Sequence, residues 1–443
     1  MLLALLTFAA ATALACDETK PSTPRERAAV ALDAAPLPVP ATAPTATGRP
    51  DVQVVVKDST FRPLAGARAD FGVMDGAAYR IEIPTNWNGG LVMYAHGYRG
   101  EGPEVSVSNP EPREHLIRRG YAWAASSYTT NGYRPDAGVA DTLALREHFI
   151  RTYGQPRTTI LMGTSMGGHV LAASLELHPD TYQGGLALCG ALTGVGQIDF
   201  LAAYGAAAEF ISGVELFGTT DADSFVRRVF NEWLPQIGFG QTPTEKGRAF
   251  QSAVMYLMGG DLPYWREGLA ARMTQIVNLV LLAGPNRDVN PASRAADTRG
   301  VRYRVDPGLA ISSEELNQGA RRFAPLPGSR TAAENPVFAE LSGRIGVPVL
   351  TLHTTGDGFV PFSIEQAYRA KVDAAGAGDL LVQRAVRRPN HCEFSPGEIT
   401  RAFDDLVEWM ERGAKPAGDN LRGGLDQLGL AWTAPMRGDD PAR

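Results

Sequence analysis

The run Gly163-Thr164-Ser165-Met166-Gly167-Gly168 carries the pattern G-x-S-x-G between an apolar stretch, Thr158 to Met162, and a helical pattern, Gly168 to His178. Those residue types at that spacing suit nucleophilic acyl transfer. Glycines two before and two after the serine let strand and helix approach closely, and the sharp turn between them forces the serine into a strained conformation that exposes its hydroxyl. The helix N-terminus adds partial positive charge at the same point. In a chain with 48 glycines the pentapeptide alone is a weak signal, and the strand-turn-helix setting is what makes Ser165 a nucleophile candidate.

A serine hydroxyl needs a base in hydrogen-bond reach, normally a neutral histidine. Of seven histidines, His115, His148 and His178 fall in or at the ends of predicted helices and read as surface residues, and His353 ends a predicted strand and reads as a satisfied core residue. His391 lies in Arg387-Arg388-Pro389-Asn390-His391-Cys392, on a loop leaving the C-terminal end of a strand, where open α/β sheets place reactive groups. Asp357, in Thr354-Thr355-Gly356-Asp357-Gly358-Phe359-Val360-Pro361, follows the preceding strand in the same way and is the acid that would hold the imidazole in one tautomer, with Glu393 or Asp379 as fallbacks. The oxyanion of such a reaction needs two backbone N–H donors, expected from Met166 and from Tyr98 after His96-Gly97. His96 is expected to orient that loop and His169 to pack, while Tyr128 and Asn131 end a strand nearby.

Positioning these groups requires a parallel sheet. Strands are predicted at Val52 to Val56, Ala69 to Val73 and Ala77 to Ile83, with Met74-Asp75-Gly76 as a hairpin turn. Leu91 to Ala95 is continuously apolar, as a central strand buried on both faces must be. Helix Arg113 to Arg119, strand Tyr121 to Ser126, helix Asp136 to Tyr153, strand Thr158 to Met162, helix Gly168 to His178 and strand Gly184 to Leu188 then alternate, which predicts crossover units with helices on both faces. From Leu192 to about Gly343 the pattern changes to amphipathic helices. Phe225, Val226, Val229, Phe230, Trp233 and Leu234 form one stripe, Phe250, Ala253, Val254, Leu257 and Met258 a second, and Leu269, Met273, Ile276, Val277 and Val280 a third. The strand Pro348 to Leu352, helix Ile364 to Ala374, strand Leu380 to Val386 and helix Pro396 to Arg412 resume the alternation, with capping boxes at Ser363 to Gln366 and Ser395 to Glu398.

With 443 residues, 44% hydrophobic and 20% charged, the chain can bury a full-sized core. A net charge of -6 with scattered Lys and Arg gives no footprint for nucleic acid. Leu2 to Ala15 is apolar, too short to span a bilayer, and ends Ala13-Leu14-Ala15-Cys16, as an export signal does. The expected organisation is a signal peptide at 1–15, a Pro/Ala-rich linker at 16–50, core at 51–190, a helical insertion at 191–343, core at 344–414 and a tail at 415–443 without clear role. The exported protein is either secreted or periplasmic, or tethered to a membrane through lipidated Cys16. Cys189 and Cys392 are either one disulfide or two unpaired thiols.

Strand-His96-Gly97, then Gly163 to Gly167, then Gly356-Asp357 with Pro361, then the His391 loop resemble, in that order, the α/β-hydrolase superfamily of serine esterases and lipases over about 51–190 and 343–413. The resemblance implies a mostly parallel central sheet with helices on both faces and an inserted helical cap. Pro84 to Gly89 resembles exported feruloyl-esterase-like and polyhydroxyalkanoate-depolymerase-like enzymes. His391-Cys392 resembles the tannase and feruloyl-esterase pattern, in which the cysteine beside the histidine is bonded to one beside the serine; here Thr164 precedes Ser165, leaving Cys189 as the substitute. Caps in this superfamily shape the pocket, and Phe225, Phe230, Trp233, Tyr256, Tyr264 and Trp265 are available for it, or for the cap's own core.

The expected activity is hydrolysis of a small-molecule or polymeric carboxylic ester through an acyl-enzyme, with neither metal nor cofactor. An amidase or peptidase would use the same residues. A non-catalytic binding protein on a hydrolase scaffold is the reading from another class, and a lyase or cofactor-free peroxidase is more distant.

Overall fold

A computed structural model describes residues 55–57, 61–217, 222–239, 241–273 and 291–435. The expected signal peptide, the linker with Cys16, and Ile276, Val277 and Val280 of the third stripe lie outside the described residues. The first part of the chain runs β1 (Val55–Val56), β2 (Ala67–Met74), β3 (Ala77–Pro84), β4 (Gly90–Ala95), β5 (Glu104–Val105), α1 (Arg113–Arg118), β6 (Ala122–Ser126), α2 (Pro135–Tyr153), β7 (Thr158–Thr164), α3 (Met166–Leu177) and β8 (Gly184–Leu188). Next come α4 (Gly196–Ser212), α5 (Ala222–Arg228), α6 (Leu234–Ile237), α7 (Glu245–Met258), α8 (Trp265–Met273), α9 (Pro291–Ala295) and α10 (Ser313–Gly319). The last part is β9 (Val349–Thr354), α11 (Phe362–Ala374), β10 (Leu381–Val386) and α12 (Pro396–Arg412).

Eight strands form one sheet in the order β10-β9-β8-β7-β4-β6-β3-β2. Strands β10 through β6 are parallel, β3 is antiparallel to β6, and β2 is antiparallel to β3. The exchange of β4 and β6 relative to chain order, behind an antiparallel hairpin, is the topology of the α/β-hydrolase fold. Strands β4, β6, β8 and β9 are buried along their whole length because helices cover both faces. The pleat sorts β4 accordingly: Leu91, Met93 and Ala95 pack with residues of α2, α3 and α11, while Val92 and Tyr94 pack with α1 and α12.

Val55–Val56 pairs in parallel with Glu104–Val105 as a separate two-stranded sheet instead of joining the main one. The helices after β8 have their own apolar core, in which Phe225, Val229, Trp233, Phe250, Trp265 and Leu269 are buried. The first predicted stripe is not a continuous α-helix, because residues Val229–Trp233 form a π-helical turn between α5 and α6. Phe225, Val229 and Trp233 recur every fourth residue and share the buried face, whereas Phe230 falls off it and is 47% exposed. The capping box expected at Ser363 does not form: α11 starts two residues earlier, with Pro361 at the cap position and no side-chain cap. Phe362 is buried against the cap core, which draws it into the helix, and Gln366 Nε2 donates instead to the Gly259 carbonyl after α7 (3.2 Å).

The tail, read from sequence as lacking a role, covers the open edge of β10. Asp419 takes the Ala385 N–H on its carboxylate (2.7 Å) and donates its own N–H to the Gln383 carbonyl (2.8 Å). An uncovered edge of a long parallel sheet would invite pairing with other chains, and these bonds satisfy it.

The capping box at α12 is formed: Glu398 N–H donates to Ser395 Oγ (3.3 Å) and Ser395 N–H to Glu398 Oε2 (2.8 Å). Ser395→Ala should lower stability by about 0.5–2 kcal/mol, seen as a lower urea midpoint at unchanged slope.

Candidate active site

Ser165 sits between β7 and α3 with φ 59° and ψ -120°, a strained backbone for a residue with a side chain. The flanking glycines are required by contact. A Cβ on Gly163 would strike the Gly167 carbonyl, and one on Gly167 would strike the carbonyl of Ala95 at the end of β4. The turn is pinned by the Ser165 N–H, which donates to the Leu188 carbonyl of β8 (3.0 Å).

The sheet brings the loops after β7, β9 and β10 together. His391 Nε2 is 2.8 Å from Ser165 Oγ, and His391 Nδ1 is 2.6 Å from Oδ2 of Asp357. With the proton on Nδ1 donated to the carboxylate, Nε2 is free to accept from the serine hydroxyl. Asp357 is fully buried, and its Oδ1 accepts the backbone N–H groups of Phe359 (2.8 Å) and Val360 (3.0 Å). Burial alone would push its carboxyl up, but His391, with His353 and these donors, holds it below the usual carboxylate range. The fallback acids lie elsewhere: Glu393 accepts from the Asn390 side chain (2.9 Å), and Asp379 faces Lys415.

The other histidines hold the scaffold. His96 is buried, stacks on Tyr128 and reaches the carbonyls of Gly97 (2.7 Å) and Ser127 (3.1 Å), while burial lowers its pKa to about 4. His169 is likewise lowered to about 4 by burial and sits between the Tyr133 hydroxyl and the Val337 carbonyl. His353 lies behind Asp357, held by the Val360 carbonyl (2.7 Å) and Glu365 (3.2 Å). His115, read as a surface residue, is half-buried and paired with Asp404. His148 and His178 are half-buried as well.

Met166 opens α3, and the Gly97-Tyr98 segment runs against Ser165, since a Cβ on Gly97 would stand 2.9 Å from Ser165 Cβ. Among the described residues, no protein acceptor takes the backbone N–H of Met166 or of Tyr98. Tyr128 and Asn131 brace this loop: the Tyr128 hydroxyl donates to the His96 carbonyl (3.2 Å), and Asn131 Nδ2 donates to the carbonyls of Gly102 (2.9 Å) and Glu104 (2.6 Å).

Cys189 and Cys392 are joined by a disulfide with Cα atoms 5.2 Å apart. It ties the end of β8 to the residue after His391. Of the cap aromatics, Phe225, Trp233 and Trp265 serve the cap's own core, and Tyr264 is half-buried at positive φ with its carbonyl against Gly356. Gly268 of α8 packs directly on the carbonyls of Gly356 and Pro389, so the cap rests on the loops that carry Asp357 and His391. Gln197 and Phe359, which sequence reasoning did not single out, also reach this junction; Phe359 stood inside the Gly356 to Pro361 motif, and Gln197 had no local signal.

A family model described as "Tannase-like family of unknown function (DUF6351)" matches residues 74–192, which include the nucleophile turn. An o-phthalyl amidase from Xanthobacter agilis is 24% identical over 409 residues, covering 77% of this chain and 87% of the relative. Among solved structures, an esterase/lipase from an uncultured bacterium aligns at 13% identity over 79% of this chain and 87% of its own, with a TM-score of 0.40. Feruloyl esterase B from Aspergillus oryzae aligns at 15% identity over 78% of this chain and 80% of its own, with a TM-score of 0.39.

The Cys189–Cys392 bond closes a loop spanning 203 positions. Replacing both cysteines by serine should cost about 2–5 kcal/mol on thermal or urea unfolding, and the rate of any reaction at Ser165 should fall as well, because the His391 loop loses its anchor.

Proposed function

We propose that the protein is a serine hydrolase that cleaves a carboxylic ester, with Ser165 as nucleophile, His391 as general base and Asp357 as the acid that orients it. The observation that carries this reading is the imidazole of His391, within hydrogen-bond reach of the Ser165 hydroxyl on one side and of the buried Asp357 carboxylate on the other. Ser165 Oγ attacks the carbonyl carbon as its proton passes to Nε2. The N–H groups of Met166 and Tyr98 receive the oxyanion. When the C–O bond breaks, Nε2 returns the proton to the departing alkoxide; water then repeats the sequence on the acyl-enzyme and releases the acid. His96 and His169, made weak bases by burial that lowers each pKa to about 4 and engaged by backbone carbonyls, are unsuited to the base role.

Amide cleavage by the same residues is the second reading, supported by the amidase from Xanthobacter agilis among the relatives. Export is part of the proposal, because a disulfide suits an oxidising compartment.

A fluorophosphonate probe should form one adduct, on Ser165, with folded wild-type protein. Ser165→Ala should remove the adduct and lower turnover of p-nitrophenyl esters by a factor on the order of 10⁴ or more, and Asp357→Asn by about 10⁴. Folded protein that takes no label would favour a binding role, and turnover of matched anilides without turnover of esters would replace the esterase reading by the amidase one.

A further inference from the structure

Phe359 follows the acid by two residues, and its ring stacks on the His391 imidazole with centroids 5.2 Å apart and planes inclined at 25°. Its backbone N–H donates to Asp357 Oδ1 (2.8 Å). Its carbonyl accepts from Nε2 of Gln197 on α4 (2.8 Å). A single residue therefore touches both acid and base, and a side chain from the helices after β8 holds it in place.

The two hydrogen bonds of the imidazole lie in the plane of the ring and oppose out-of-plane swing only weakly. A ring stacked on one face blocks swing toward that face. The need is real, because the His391 side chain is 24% exposed and is not locked by surrounding core. The aromatic face also favours the positive charge that the imidazole carries once it has taken the serine proton.

Gln197 is equally telling. It is 2% exposed, and its Oε1 has no hydrogen-bond partner among the described residues. Burying an amide whose oxygen is unsatisfied is costly, and an apolar side chain packed in the same place would avoid that cost. The bond from Nε2 to the Phe359 carbonyl is what the buried amide provides.

We infer, building on the serine-hydrolase reading above, that Phe359 is a positioning residue for the Asp357–His391 pair and that Gln197 fixes Phe359 from the cap. Helix α4 and the acid–base pair are thus joined through the Phe359 backbone. Displacing the cap helix α4 should disturb the imidazole through Phe359.

The test compares wild type with Phe359→Leu, Phe359→Tyr and Gln197→Leu by fluorophosphonate inactivation rate, kcat and KM on a p-nitrophenyl ester, thermal midpoint, and the downfield proton resonance of the His391 Nδ1–H bond. Phe359→Leu should lower the inactivation rate and kcat about tenfold to a hundredfold at near-constant KM and thermal midpoint, with the downfield resonance broadened or lost. Phe359→Tyr should restore both readouts, and Gln197→Leu should give a smaller fall in the same direction. A Phe359→Leu protein that reacts at the wild-type rate, or whose loss lies in KM alone or tracks its thermal midpoint, overturns the inference. Wild-type protein that takes no label fails the hydrolase reading instead; the resonance then decides the positioning role by itself, and its unchanged shift and width in Phe359→Leu would overturn it.

Discussion

The candidate site depends on one imidazole that bonds in two directions at once. His391 can hold Ser165 at 2.8 Å and Asp357 at 2.6 Å only if three loops, carried by β7, β9 and β10, end within a few tenths of an ångström of fixed positions. A parallel sheet meets that demand because its strand ends share one edge and its register is set by backbone hydrogen bonds. The helices packed on both faces keep the strands from sliding, and the glycines of the nucleophile turn let α3 start close enough to β4 for the serine to face that edge.

The His391 loop is supported from outside the sheet as well. Arg387 and Arg388, four and three residues before His391, are tied down by the C-terminal segment and α12: Arg387 Nε donates to the Leu428 carbonyl (2.7 Å), Arg388 Nη1 to Glu398 Oε2 (2.7 Å) and Arg388 Nη2 to the Ala434 carbonyl (3.0 Å). Glu398 is the same carboxylate that caps α12, so helix start and His391 loop share one charged group. On the other side of the histidine the disulfide fixes Cys392 to the end of β8. The His391 loop is thus held at both ends, which suits the fixed orientation that the proposed general base requires.

Part of the contact between cap and core is made by close approach of backbone. Gly268 allows α8 to lie on the carbonyls of Gly356 and Pro389, and α4 reaches Phe359 through Gln197. A second attachment is ionic: Arg330 pairs with Asp199 of α4 (2.7 Å) and with Glu340 (2.7 Å), and Glu340 also pairs with Lys371 of α11. Most of the cap's large aromatics are spent on its own interior, as Phe225, Trp233 and Trp265 show, because a helical layer of this size needs a core of its own.

What the sequence determined by itself was whatever is written in local periodicity and turn chemistry. The central strands, the crossover helices, the box at Ser395 and the nucleophile turn follow from neighbours a few residues apart, and Asp357 and His391 were legible because each follows a strand that periodicity identifies. Tertiary structure decided what depends on partners distant along the chain. The π-helical turn that expels Phe230 and the loss of the expected box at Ser363 follow from which residues the cap core accepted, and the strand pairing of Val55–Val56 required a partner 49 positions away, at Glu104–Val105. Whether Cys189 and Cys392 were bonded or free depended on bringing the ends of two non-adjacent stretches to within 5.2 Å. The bond from Gln197 to the Phe359 carbonyl, across 162 positions, had no local signal at all, since a glutamine on a helix reads as a solvated residue until the fold buries it.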